Sequence, residues 1–164
     1  MKTVFLVRHA KSSWDHMGID DIDRPLNERG LRDAPFMANL LKQRTAAPDR
    51  LVSSPANRAF TTATFFANAF QIDPADILKD ASIYEAYTEE LMYVIQHFDP
   101  QWNTICLFGH NPGFTNVANL FSSDFIPNIP TCGIVKLTGV VDDWSEFAGK
   151  KVKVDAFYYP KLYY

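Results

Sequence analysis

The chain has 164 residues, 47% of them hydrophobic and 21% charged, with a formal net charge of −3. That length suits a single domain, 1–164, able to bury a core of its own, and the charge gives no general attraction to nucleic acid or an anionic membrane. No apolar stretch approaches the roughly 18 residues that span a bilayer, and the first apolar run meets Arg8, His9 and Lys11 too soon for a signal peptide.

A cytoplasmic protein is expected. Cys106 and Cys132 match no metal-binding or redox spacing. Cys106, inside "TICLF", reads as a small buried hydrophobe.

In chain order, "TVFLV" (3–7) is a short continuous apolar run, as in a strand buried on both faces. It ends abruptly in Arg8 and His9. "GIDDIDR" (18–24) lacks the glycine and closing glutamate of a calcium loop and reads as a solvated acidic loop, in which Asp23 pairs with Arg24. Ala34, Met37, Ala38, Leu40 and Leu41 form a helical stripe, and Pro35 predicts that this helix starts late or kinks.

"RLVSS" (50–54) is a weaker strand; Ala59, Ala63, Phe66 and Phe70 then mark a second helix. "DILKDASIY" (76–84) reads as a strand, and Leu91, Val94, Ile95 and Phe98 as a third helix. "TICLF" (104–108) is a second strand of the fully buried kind, followed by a fourth helix through Phe114, Val117, Ala118 and Phe121. "GIVKLTGV" (133–140) and "KVKVDAFYY" (151–159) close the chain as strands, the latter alternating like an edge strand. Strands separated by helices of this length predict an α/β fold, a largely parallel sheet covered on both faces.

In open α/β sheets, ligands bind beyond the carboxyl ends of the strands. Three predicted strands end in polar runs: "RHAKSS", "SSPANR" and "GHNPG". Ser54 with Pro55, and Asn111 with Pro112, have the residue types of an N-cap followed by the first helical position. Arg8, His9, Arg58 and His110 therefore fall on one rim with two helix starts, a donor set for a compact multiply charged anion such as phosphate. A metal reading of the two histidines lacks a third ligand, and the arginines would repel a cation. Lys11 and Ser12 stay open between substrate contact and surface. His16 and His97 read as surface histidines, and the aromatics of "AFYYPKLYY" as packing inward.

Taken together, "LVRHAKSSW", "DIDRPLNERG", "SSPANRAFTTA", "IYEA" and "FGHNPG" resemble, in order, the histidine phosphatase superfamily with its phosphoglycerate mutase-like fold. The resemblance runs from about residue 3 to residue 113 and is strongest to the short SixA-type phosphohistidine phosphatases. It implies a three-layer α/β/α sandwich with a mainly parallel central sheet. His9 would be the nucleophile, taking the phosphoryl group as a phosphohistidine intermediate. Arg8 and Arg58 would clamp its oxygens, and His110 would complete the pocket. Glu85 stands where relatives carry a general acid; an ordinary helix-flanking carboxylate is the alternative.

No metal or cofactor is implied. Arg8 also keeps the adjacent imidazole neutral, and neutral imidazole is a good nucleophile. Ala10 replaces the glycine common in the superfamily, as SixA-type members often do. "GHNPG" lacks the His-Asp pair of acid-phosphatase relatives.

Between Glu85 and Thr104 there is room for one helix and no lid, which suits a phosphorylated side chain on another protein. The expected partner is a phosphohistidine-carrying protein, with phosphate ion as product and a monomeric enzyme. A small phosphate ester is the alternative substrate, and a non-catalytic phosphate-binding module the rival from another class.

Overall fold

The structure, a computed structural model, describes residues 1–164. Its strands are β1 (Lys2–Arg8), β2 (Arg50–Ser53), β3 (Leu78–Lys79), β4 (Thr104–Gly109), β5 (Ile134–Gly139) and β6 (Val152–Tyr158). The helices are α1 (Glu28–Arg44), α2 (Asn57–Ala69), α3 (Thr88–Gln96) and α4 (Gly113–Phe121). The strands form one sheet in the order β3-β2-β4-β1-β5-β6.

Alternation along the strands builds two cores. Val4 and Leu6 of β1, with Ile105 and Leu107 of β4, pack on α3 and α4 through Leu91, Val94, Val117 and Phe121. Phe5, Val7, Cys106 and Phe108 point the other way, into α1 and α2 through Met37, Leu41, Ala63 and Phe66. The expected three layers are present, and both cysteines are free and buried.

The sheet is less parallel than expected. β3, β2, β4 and β1 pair in parallel, but β5 runs antiparallel to β1, and β6 antiparallel to β5. The sheet is therefore mixed. For β6 the physical reason lies in the connection: a parallel neighbour needs a long crossover, usually helical, whereas only short 3₁₀ turns at Trp144–Glu146 and Gly149–Lys151 join β5 to β6.

Two local expectations also shift. Residues 76–84 yield a strand of only two residues, because Asp73 and Asp80 accept from Ala75 N and Ser82 N, both at 2.9 Å, and cap 3₁₀ turns on either side. Helix α1 starts before Pro35 rather than at it. Asn27 Oδ1 accepts from Gly30 N at 2.9 Å and caps the first turn. Pro35 leaves the Leu31 carbonyl without its helical donor, and Leu31 is 49% exposed, where water can serve instead. Gly30 is needed there, since a Cβ would run into the Lys11 carbonyl.

The final aromatics divide. Phe157 and Tyr158 of β6 are half-buried against the two cores, while Tyr163 and Tyr164 lean on Phe36 of α1 with ring centroids 6.0 and 4.8 Å away. No helix is long and apolar enough to cross a membrane.

Candidate active site

The parallel register brings the polar strand ends together. Arg8 lies opposite Gly109, and Ser53 opposite Phe108. The next residues, His9, His110 and Ser54, therefore leave the sheet side by side. His9 N donates to Gly109 O at 3.0 Å and Ser54 N to Phe108 O at 2.9 Å, extending the ladder one step beyond each strand.

His9 and His110 stand with ring centroids 5.3 Å apart. His9 Nδ1 is 2.7 Å from the Ala10 carbonyl. A carbonyl can only accept, so Nδ1 carries the proton and Nε2 keeps its lone pair. Burial, with the charges of Arg58 and Arg8 adding to it, pulls the His9 pKa down to about 3. Burial and Arg58 likewise bring His110 to about 4, although Asp21 acts against them. Both rings are neutral near pH 7.

Arg58, in the first turn of α2, is buried. It donates through Nη1 to the Asp21 carbonyl at 2.7 Å and through Nη2 to Asp21 Oδ2 at 3.0 Å. Arg8 donates through Nη1 to Ile129 O at 2.8 Å. Five buried side-chain nitrogens or oxygens have no partner within the protein, and three of them are Arg8 Nε, Arg58 Nε and His110 Nδ1. Buried polar groups are normally satisfied. Three of the five thus belong to residues around His9, leaving polar capacity there that the fold itself does not use.

Glu85 lines a pocket of about 360 Å³ with His110, Asn111 and Tyr87. Its side chain is exposed, no hydrogen bond or ion pair holds it, and its backbone sits in the left-handed region at φ 57°. Four of the five sequence candidates thus meet at the strand ends, and the fifth stands at the rim.

The helix starts differ from expectation. α2 begins at Asn57, and Ser54 instead accepts from Ala56 N at 3.2 Å and lies 2.8 Å from His110 Nε2. α4 begins at Gly113, with Asn111 Oδ1 accepting from Thr115 Oγ1 at 2.9 Å. Ala10 needs no left-handed backbone. Its methyl is buried in the α1/α2 core, and its N–H donates to Thr62 Oγ1 at 3.0 Å.

Asp21 is the residue that sequence reasoning missed. Its Oδ1 takes Arg24 Nε at 3.1 Å, and its Oδ2 takes Arg58 and the Tyr84 hydroxyl, the latter at 2.6 Å. The Tyr84 bond is the largest influence holding its pKa down at about 2. Arg24 therefore pairs with Asp21, not with Asp23 as expected. The signal was present in "DIDRPL", where Asp21 precedes Arg24 by three residues, but the partners at 58 and 84 are remote in sequence. Ser12 is resolved too: its hydroxyl receives Arg24 Nη1. Lys11 contributes its carbonyl, to Asn27 N at 3.0 Å. His16 and His97 are exposed. No group of three or more His, Cys, Asp or Glu side chains is placed to hold a metal ion.

A neutral imidazole with a free lone pair, beside two guanidinium groups and a second imidazole at the carboxyl rim of an α/β sheet, is a site suited to a phosphoryl group. The comparisons agree. The sequence model of the histidine phosphatase superfamily (branch 1) matches residues 4–96. An uncharacterized chloroplastic protein of Arabidopsis thaliana is 31% identical over 155 residues, 88% of this chain and 70% of the relative.

The crystal structure assigned as phosphohistidine phosphatase SixA from Agrobacterium tumefaciens is 28% identical, covers 97% of this chain and 98% of its own, and superposes with a TM-score of 0.80. The structure of the protein histidine phosphatase SixA complexed with tungstate shares the fold at a TM-score of 0.78, with 19% identity and coverage of 94% and 95%. The chain belongs to the histidine phosphatase superfamily, on its SixA-type side.

Proposed function

We propose that the chain, as one histidine phosphatase domain over 1–164, is a metal-independent phosphatase acting on phosphohistidine carried by a protein. The observation that carries this reading is the trio of buried, unpartnered nitrogens, Arg8 Nε, Arg58 Nε and His110 Nδ1, around a histidine whose Nε2 lone pair is free.

His9 Nε2 attacks phosphorus. An N–P bond forms as the bond to the leaving group breaks, and the leaving atom keeps that electron pair and takes a proton. Water then attacks the phosphorus of phospho-His9, the N–P pair returns to Nε2, and inorganic phosphate leaves. Arg8 and Arg58 neutralise the charge on the equatorial oxygens, the task a metal ion performs elsewhere. In this reading Glu85, which lines a pocket with His110, gives the leaving group its proton and takes one from water. A phosphohistidine P–N bond depends on that acid less than an alkyl ester does, in keeping with an exposed carboxylate that nothing holds.

The substrate class follows from what surrounds the site. Between Glu85 and Thr104 the chain builds only α3, so no inserted lid encloses the rim. An open site admits a side chain presented on a folded partner. Turnover of a phosphohistidine protein and of an aryl phosphate, measured with His9→Ala as control and with a chelator added, tests the proposal. Turnover that survives in His9→Ala, or that disappears with the chelator, would overturn it.

A further inference from the structure

Ser54 makes an unusual use of its hydroxyl. The side chain is fully buried, and its Oγ accepts from Ala56 N at 3.2 Å while lying 2.8 Å from His110 Nε2. The neighbouring Ser53 donates its own hydroxyl to the Ser54 carbonyl, so the two serines are not interchangeable. A hydroxyl has one proton to give. Within hydrogen-bond reach of Ser54 Oγ, the one acceptor for that proton is His110 Nε2.

We propose that Ser54 is a positioning residue: its hydroxyl donates to His110 Nε2, fixes this ring as the Nδ1–H tautomer, and so makes Nδ1 a donor to a phosphoryl oxygen. The opposite tautomer is disfavoured because it would strand the Ser54 proton in a buried place. The two histidines then hold complementary states from the same protonation pattern. His9 bonds its Nδ1–H to the Ala10 carbonyl and presents a lone pair, whereas His110 accepts at Nε2 and presents an N–H. Near neutral pH neither ring carries a charge, so tautomer, not ionisation, sets these roles.

The use of this donor rests on the phosphatase reading; the tautomer does not. Nitrogen-15 NMR of the wild-type imidazoles, with His110 assigned through His110→Gln, is expected to show a protonated Nδ1 and a bare Nε2 on His110 without any substrate. Ser54→Ala is expected to lose that preference and to bind inorganic phosphate about 3- to 10-fold more weakly, the range of one neutral hydrogen bond. Ser54→Thr is expected to restore both. A wild-type His110 protonated on Nε2, or a folded Ser54→Ala variant with unchanged tautomer and phosphate affinity, overturns the inference. If Ser54→Ala does not fold, the wild-type spectrum alone decides. A protein that shows the Nδ1–H tautomer and no turnover would sink the phosphatase reading and leave the Ser54 assignment standing.

Discussion

Arg58 gives both of its terminal nitrogens to one residue, Asp21, through the carbonyl at 2.7 Å and the carboxylate at 3.0 Å. The guanidinium is thereby clamped from one side, while Nε has no partner within the protein and each terminal nitrogen keeps a second N–H. Asp21 also holds Tyr84 and Arg24, so one carboxylate on a 3₁₀ turn (Asp21–Asp23) fixes three surrounding segments. Asp21→Ala is expected to lower kcat/KM by about 10- to 100-fold, the cost of loosening a positioned charge by about 1 Å. The Asp21 side chain is 48% exposed, but its loss leaves the buried Arg58 guanidinium without its carboxylate, so the melting temperature should also fall by a few degrees. Steady-state kinetics beside a thermal melt separates the two effects.

Arg58→Lys tests whether geometry or charge matters at that position. Lysine keeps the charge but cannot face Asp21 with two nitrogens while presenting a third to the ligand. A loss of roughly 100-fold or more in kcat/KM is expected, and a variant within a few-fold of wild type would show that a point charge suffices.

The depressed histidines set the pH dependence. His9 at about 3 and His110 at about 4 both lie below the ordinary 6.5. The acid limb of kcat/KM is therefore expected near pH 4 or lower, not near 6.5. Stability follows the same sign. Between about 6.5 and 4 the unfolded chain binds protons that the folded one refuses, so stability falls as pH falls through that window. His110→Asn removes one such site and should flatten the slope by up to about 1.4 kcal/mol per pH unit, read from urea titrations across the window.

Glu85→Gln should divide substrates by leaving group. Under the proposed mechanism an alkyl phosphate needs a proton from Glu85, and its kcat/KM is expected to drop about 100-fold or more. A phosphohistidine protein should lose less than about 10-fold, within the lower reach of acid catalysis. Equal losses on both would mean that Glu85 is not the proton donor.

Much of this site was legible in the sequence because parallel strands place their ends on one rim. The runs after Val7, Val52 and Phe108 could be aligned from hydrophobic pattern alone, and that placed Arg8, His9, Arg58 and His110 together. Asp21 was not legible, since its partners lie 37 and 63 residues away and no local pattern links a turn carboxylate to them. The helix starts were legible only in part. Asn111 Oδ1 accepts from Thr115 N in the first turn of α4, whereas α2 begins at Asn57, so the Ser54 oxygen reaches only Ala56 N and its hydroxyl also meets His110 from another strand end. The direction of β5 was hidden too, because a buried strand reads the same in either orientation.

The position of β1 in the sheet has a consequence of its own. This strand is hydrogen-bonded on both sides, to β4 over Thr3–Arg8 and to β5 over Lys2–Val7, and its residues Val4 to Val7 are buried in the two cores. Amides held this way exchange with solvent only when the whole molecule opens. The backbone leading to His9 should therefore be among the last to take up deuterium, while the exposed stretch through Trp14 and Met17 exchanges first. His9 thus stands at the end of the best protected strand, a few residues from one of the most exposed stretches of the chain.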